Sequence, residues 1–288
     1  MENKINRVRL WPHQLPSVPQ YTLKLYYSGN LVPTINQWTT YLSNVFNVLP
    51  TSLSLEYNCF ENGTINKIMD AYCTDVNSMK HVELINNEEL NQSKDAIISF
   101  LQRQNATEKI KLLFQPITDF VFDFKLLRNI PSCIKCKYAN WITYKQLLEF
   151  ESESVYLSRS NFTNSDFKNL VVKWRNGWNP TWKDLMIEFR EELNIDAYIS
   201  DSYIEINRED HYRNVLMRDN KIRAYRFEIE INTVLGAVLK TGYHLTRPDQ
   251  SIATVTMENN KIGWFHIQPN NPDGKMIAQL SKRTFNFD

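Results

Sequence analysis

The chain predicts an α/β fold in which strand–helix units stack in chain order into a solenoid with a parallel sheet, followed by a small antiparallel β cap. Three observations carry this. Apolar pairs one residue apart recur at Leu23/Leu25, Leu53/Leu55, Val82/Leu84, Ile110/Leu112, Ile134/Cys136, Val155/Leu157 and Leu185/Ile187, with first-to-first intervals of 30, 29, 28, 24, 21 and 30 residues. Helical patterns fill most of the gaps. From about Ile222 the apolar–polar alternation continues without helices between the runs. Each pair sits in a segment such as SLSLEY, HVELIN or KIKLLF, whose period of two is that of a strand with one buried face. A single strand–helix unit buries too little to stand alone, so such units are stable when stacked, with right-handed crossovers between parallel strands. This is the leucine-rich-repeat plan without its asparagine-ladder consensus, hence leucine-rich-repeat-like. A doubly wound α/β domain draws the same elements from the same pattern; even spacing and unbroken strand–helix order favour the solenoid.

Residues 1–20 read as an extended segment, 21–207 as the solenoid, 208–268 as the antiparallel subdomain and 269–288 as a mobile tail. Within the solenoid, TINQWTTYLSNVFNVL places Trp38, Tyr41, Leu42, Val45, Phe46 and Leu49 on one helical face. TINKIMDAY does the same with Ile65, Ile68, Met69 and Tyr72, and SKDAIISFLQR with Ile97, Ile98 and Leu101 behind Ser93 as N-cap. TYKQLLEF offers Tyr144, Leu147 and Leu148 after Thr143. SDFKNLVVKW offers Phe167, Leu170, Val171 and Trp174, capped by Ser165 or Asn164. Between Pro116 and Pro131, FVFDFKLL fits strand or helix. A weaker pair, Ile204/Ile206, follows 19 residues after Leu185. Beyond it come IRAYRFEIEIN, GYHLTR, SIATVTM and KIGWFHIQ. Asn259-Asn260 between the last two suits a hairpin turn, because asparagine tolerates positive φ. This sheet is expected to cover an otherwise exposed strand edge.

Composition narrows the function classes. The 33 basic and 32 acidic residues leave a net charge of +1, so no global field advertises a nucleic acid or membrane partner. Seven glycines argue against chemistry built on glycine-rich phosphate loops. The first residues hold no secretory apolar run, and no eighteen uncharged apolar residues run together. Four cysteines in 288 residues make no disulfide framework. The glycosylation-like triplets at Asn62, Asn91, Asn105 and Asn161 are read as chance in an asparagine-rich chain. The expected location is intracellular, cytoplasm or nucleus, with reduced thiols.

The stretch from Asn140 to Phe189 resembles the second type of F-box-associated domain, a family expanded in nematodes. The resemblance rests on Leu147 and Leu148, Phe162, Asp166, Trp174, Gly177, Asn179-Pro180 and Leu185, in that order. Downstream, Gly242, Tyr243, Leu245, Arg247, Asp249 and Ala253-Thr254 continue it, with His244 where aspartate is usual and Gln250 where glycine is usual. The similarity extends over roughly residues 50–268 and is most specific around Trp174. It implies a non-enzymatic protein-interaction module that recruits substrates to cullin-based ubiquitin ligases, with no cofactor. Its partner is a protein target. The first twenty residues are too few for an F-box, so a ligase linker protein is expected as partner only where an F-box is supplied elsewhere.

Strand parity locates the expected binding surface. If the apolar pairs face the helices, the alternate residues face the open, concave side of the sheet. These are Lys24, Tyr26, Ser54, Glu56, Glu83, Lys111, Leu113, Lys135, Lys137, Tyr156, Ser158, Met186 and Glu188. Tyrosine, methionine and leucine supply contact area there, and mixed charges supply orientation. Cys133-Ile-Lys-Cys136 is a lone CxxC without further ligands, read as a strand whose cysteines face opposite sides rather than as a metal site. Trp174, Trp178 and Trp182 are helically spaced, but Asn179-Pro180 interrupts the helix; Trp174 is expected in the core, and Trp178 and Trp182 as packing wedges or an exposed anchor. The histidines at 13, 81, 211, 244 and 266 are scattered. His244, Arg247 and Asp249 read as a hairpin with surface charges, and His244 and His266 as occupants of neighbouring strands. No P-loop, GxSxG, HExxH or dinucleotide fingerprint occurs. The alternatives are an α/β hydrolase or transferase with its site beyond the strand ends, and single-stranded nucleic-acid binding through tyrosines and lysines.

Overall fold

The computed structural model of the protein describes residues 31–47, 49–56, 63–74, 78–86, 94–195, 204–205, 224–233, 236–247, 249 and 251–268. The extended segment 1–20, the Leu23/Leu25 strand with Lys24 and Tyr26, the Ser93 cap, Cys59, His13, His211 and the tail 269–288 lie outside the described residues. The chain divides into two compact units, Met1–Ile142 and Thr143–Asp288. It is a mixed α/β protein. Parallel strands alternate with helices, and antiparallel strands follow.

The first unit opens with helix α1 (Leu31–Phe46), then strand β1 (Ser52–Glu56), α2 (Thr64–Tyr72), β2 (His81–Ile85), α3 (Lys94–Arg103), β3 (Lys109–Leu113) and β4 (Cys133–Cys136). The strands pair in chain order, β1-β2-β3-β4, all parallel. Their apolar pairs share register: Leu53 opposes Val82, Val82 opposes Ile110, and Ile110 opposes Ile134. All eight members of these four pairs are buried. The expected face of α2, Ile65, Ile68, Met69 and Tyr72, is buried in full. In α3, Phe100 joins Ile97 and Leu101 in the core while Ile98 is only half-buried.

Helix α1 is rotated from expectation. Among its described side chains Ile35 and Thr39 are buried, whereas Trp38, Tyr41, Val45 and Phe46, and Leu49 beyond the helix, are exposed. The local pattern counted apolar residues, but the neighbouring helix chose the face: Thr39 Oγ1 and Tyr72 Oη lie 2.8 Å apart in a buried hydrogen bond between α1 and α2. The segment between Pro116 and Pro131 is neither strand nor α-helix. It is irregular, with a 3-10 turn at Phe124–Leu126 that Asp123 caps. Its shape is held by aromatic packing, with Trp141 stacked on Phe124 at 5.6 Å and edge-on to Phe120 at 4.9 Å.

The turns between helix and strand are joined by buried amides. Asn105 accepts a hydrogen bond from the Met79 backbone N–H through Oδ1 and donates through Nδ2 to the Thr74 carbonyl. Asn129 Nδ2 in turn donates to the Asn105 carbonyl. Buried main-chain groups of successive turns thereby find partners, which they require once water is excluded.

The second unit comprises α4 (Tyr144–Glu149), β5 (Ser154–Leu157), α5 (Asn164–Arg175), β6 (Asp184–Glu188), β7 (Ile204–Glu205), β8 (Ala224–Thr233), β9 (Gly236–Thr246), β10 (Ile252–Glu258) and β11 (Ile262–Gln268). Strands β5 and β6 are parallel. The order then runs β6-β11-β10-β9-β8-β7, antiparallel from β6 to β8. Because β11 bonds directly to β6, the antiparallel strands continue the β5–β6 pair and share one compact unit with it, although the sequence grammar changes from about Ile222. Asn259 and Asn260 turn between β10 and β11 with φ of 52° and 55°, the first two residues of a loop that Lys261 completes before Glu258 pairs with Ile262.

Both helices of this unit start with capping boxes. Thr143 and Gln146 cap α4 reciprocally. For α5 the cap is Thr163, paired with Asp166, not Ser165 or Asn164, which lie inside the first turn. Gly177, at φ 96°, sits just past the end of α5, in the left-handed geometry favoured there. The helix therefore stops before Asn179-Pro180 is reached.

Candidate functional site

On the first unit, the residues between the buried pairs lie on the opposite face of the sheet, and register sorts them into rows. Ser54, Glu83, Lys111 and Lys135 oppose one another in succession across β1 to β4. Ser54 Oγ donates to Glu83 Oε2 at 3.1 Å, and Lys111 Nζ donates to Glu83 Oε1 at 3.3 Å. Lys135 is half-buried, and its ammonium is held below the usual lysine range, first by burial and then by Lys109 and Lys111, against a raising influence from Cys133. Glu56, Ile85 and Leu113 form the next row. Lys137 follows β4 directly, exposed, with Nζ 5.7 Å from the Tyr138 ring centre. At the other end, Glu108 pairs with both Lys80 at 3.1 Å and His81 Nε2 at 3.2 Å. This face is thus partly open, polar and charge-patterned. Ser54 is the exception, 6% exposed beneath Glu83.

Cys133 and Cys136 point to opposite faces of β4, since they stand three positions apart on a strand of period two. Burial pushes the Cys136 thiol far above the ordinary range, with a further push from Cys133. Among the described residues no cluster of three or more histidine, cysteine, aspartate or glutamate side chains has the arrangement of a metal site. No described helix is long and apolar enough to cross a membrane.

The second unit uses the same strand parity differently. Tyr156, Met186 and Trp264 share a row across β5, β6 and β11. Tyr156 and Glu188 are half-buried, but Met186 is fully buried and Trp264 nearly so. The expectation that Met186 offers contact area to a partner is therefore corrected. The large rings of its register neighbours, packed edge-to-face at 5.9 Å, close over the thioether. Next along, Ser154, Asp184, His266, Thr254 and His244 form a polar row. His266 Nδ1 is hydrogen-bonded to Asp184 Oδ1, and His244 Nδ1 lies 2.9 Å from Thr254 Oγ1. The two histidines are not on neighbouring strands; β10 separates them. In the sequence Ser154–Asp184–His266 the carboxylate stands between hydroxyl and imidazole. A histidine base taking the serine proton would have to stand between the hydroxyl and the carboxylate.

The hairpin read as surface charge is in fact an internal clamp. Arg247 is 4% exposed at the end of β9. Its Nη1 donates to the carbonyls of Trp174 at 3.0 Å and Trp178 at 3.2 Å, and its Nη2 donates to Asn179 Oδ1 at 2.7 Å. The guanidinium also stacks 4.7 Å from the Trp174 ring centre and is ion-paired to Asp249. For Asp249, burial raises the carboxyl, but hydrogen bonds from Arg247 and Ser251 outweigh it and hold the group below its usual range. Trp174 and Trp182 are completely buried against Phe265, at 6.0 and 5.7 Å between ring centres. Trp178 is half-buried and edge-on to Trp182 at 5.8 Å. His244 is buried beside this region, and burial pushes its imidazole down to about 3. Sequence reading missed the clamp because its parts, Trp174–Asn179 and Arg247–Ser251, are about seventy residues apart. The signal that pointed to them was the pairing of both segments in a single family resemblance.

Residues 121–187 match the family model described as F-box associated. The matched stretch includes β4, α4, β5, α5 and most of β6, and it ends at Ile187. No curated protein and no solved structure gives a significant match to the chain.

Proposed function

We propose that this chain is a non-enzymatic protein-interaction module of the F-box-associated kind, holding a protein target for a cullin-based ubiquitin ligase. The family match over residues 121–187 is the observation that carries the reading. The binding surface in this proposal is the open sheet face of the first unit with Glu56, Glu83, Lys111, Lys135 and Lys137; taken by itself, the second unit offers Tyr156 and Glu188 on the corresponding parity of β5 and β6. Lys24 and Tyr26 continue the same parity into residues outside the described ones. Support comes from the mixed-charge character of the described positions, half-buried apart from the exposed Lys137, which suits oriented docking better than bulk hydrophobic association. In-order pairing of β1 to β4 favours a leucine-rich-repeat-like arrangement, in which an extended sheet face is the customary binding surface. Intracellular action, in cytoplasm or nucleus, belongs to the same proposal.

The test is affinity capture with the wild-type chain and with a triple variant carrying Glu83→Lys, Lys111→Glu and Lys135→Glu. Partners retained by wild type and lost by the folded variant would support the reading. Equal retention of every partner would overturn the assigned face.

A further inference from the structure

The partner's chemistry follows from how the lysines are spaced, an inference that rests on the interaction reading above. Strand β3 carries Lys109 and Lys111 on the open face, and β4 with the residue after it carries Lys135 and Lys137 on the same face. Lys111 and Lys135 stand directly opposite in register. Same-face residues on a strand are about 6.6 Å apart and adjacent strands about 4.8 Å apart. The four ammonium stems therefore form a ladder that advances along the strand direction while stepping once sideways. Like charges directly opposite one another on a sheet are destabilising. Lys135 feels this, since Lys109 and Lys111 both disfavour its charged form.

An extended polypeptide presents alternate side chains with the same spacing of about 6.6 Å. Carboxylates on every second residue would match the ladder and relieve its repulsion. One row further on, Ile85 and Leu113 oppose each other and are half-buried, offering an apolar seat at the ladder's end. We propose that the Lys109–Lys111–Lys135–Lys137 ladder takes an extended acidic segment of a partner protein, with glutamate or aspartate at alternate positions and an apolar residue over Ile85 and Leu113. A nucleic acid backbone fits less well. Glu83, bonded to Lys111 in the central row, and Glu56, opposite Ile85, repel any anion beside them, so spaced carboxylates seated on Lys109, Lys135 and Lys137 avoid these positions where a continuous phosphate backbone would not.

The experiment is fluorescence anisotropy on the full chain with a labelled peptide of about twelve residues, alternating glutamate and serine and ending in leucine. Its comparators are the same peptide with glutamine for glutamate, and a labelled oligothymidine of equal charge. The expected result is binding of the acidic peptide at least about tenfold tighter than the glutamine peptide, weakening with salt. The triple variant K109Q, K135Q and K137Q, which keeps the stems, is expected to lose about tenfold while retaining its circular dichroism spectrum. Equal binding of acidic and neutral peptides, an unchanged triple variant, or tighter lysine-dependent binding of the oligothymidine would each overturn the proposal. Partner capture that depends on Glu83, Lys111 and Lys135 without acidic-peptide binding would sink this inference while leaving the interaction reading intact. Failure of both capture and peptide binding would remove both.

Discussion

Replacing Arg247 with alanine removes a side chain that ties the turn after α5 to the end of β9. Three acceptors each lose one donor, the carbonyls of Trp174 and Trp178 and the side-chain oxygen of Asn179, although the Trp174 carbonyl keeps the Gly177 N–H at 3.0 Å. Hydrogen bonds from a charged donor are worth about 1.5–3 kcal/mol each in net terms, but part of the loss is recovered where water reaches the vacated site. The Trp174 contact is buried, while those to Trp178 and Asn179 are only partly so. Full loss of one bond, partial loss of two, and loss of the stacking on Trp174 together give about 4 kcal/mol of destabilisation. The charge-conserving Arg247→Lys keeps a single point donor without the planar fork and is expected to cost about half of that. Urea unfolding followed by tryptophan fluorescence reads the effect directly, because Trp174 and Trp182 are buried beside the clamp. At constant slope the midpoint should fall in the order wild type, lysine, alanine. An unfolding free energy for the alanine variant within about 0.5 kcal/mol of wild type would refute the reasoning, since a change of that size is typical of a surface substitution.

His244 supplies a pH signature. Its imidazole is held down to about 3 in the folded chain, against an ordinary value near 6.5, so between these values the unfolded state binds the extra proton. The stability from a neutral buried imidazole is complete above pH 6.5 and is lost as pH falls, by about 1.4 kcal/mol per unit within that window. His244→Gln should remove this slope, as measured by denaturation midpoints at pH 7 and pH 5. Gly177→Ala should destabilise by about 1 kcal/mol through the left-handed φ alone, because an added Cβ meets nothing within 4 Å; Gly177→Asn should cost less. Native-state alkylation followed by mass spectrometry should modify Cys133 before Cys73 and Cys136. Burial pushes the Cys73 thiol up to about 11 and the Cys136 thiol higher still; first modification at Cys136 would contradict the burial on which this rests.

Local pattern was informative wherever a residue's environment depends on its immediate neighbours along the chain. The pairs Leu53/Leu55 through Leu185/Ile187 are strand cores because a period of two leaves little choice of face once one side is apolar. Helix α2 behaved the same way. Helix α1 did not: it has apolar residues on more than one side, and the side it buries carries the hydrogen bond between Thr39 and Tyr72. Open-face candidates divide along the same line. Glu83, Lys111 and Lys135 lie in polar rows of short parallel strands. Met186 occupies an equivalent position in its strand yet is buried, because aromatic side chains from other strands converge on it.

The amino-acid order by itself determined the strand and helix periods, the burial of one strand face, the Asn259-Asn260 turn and the family resemblance around Trp174. Each of these is encoded by spacings of two to four residues, where backbone geometry converts order into position with little ambiguity. Only the tertiary structure decided that Arg247 is an internal clamp, that His244 is a neutral buried imidazole and that Met186 is closed to partners. Those properties depend on which distant segments exclude water from a side chain, and exclusion of water is a feature of the packed neighbourhood rather than of the residue.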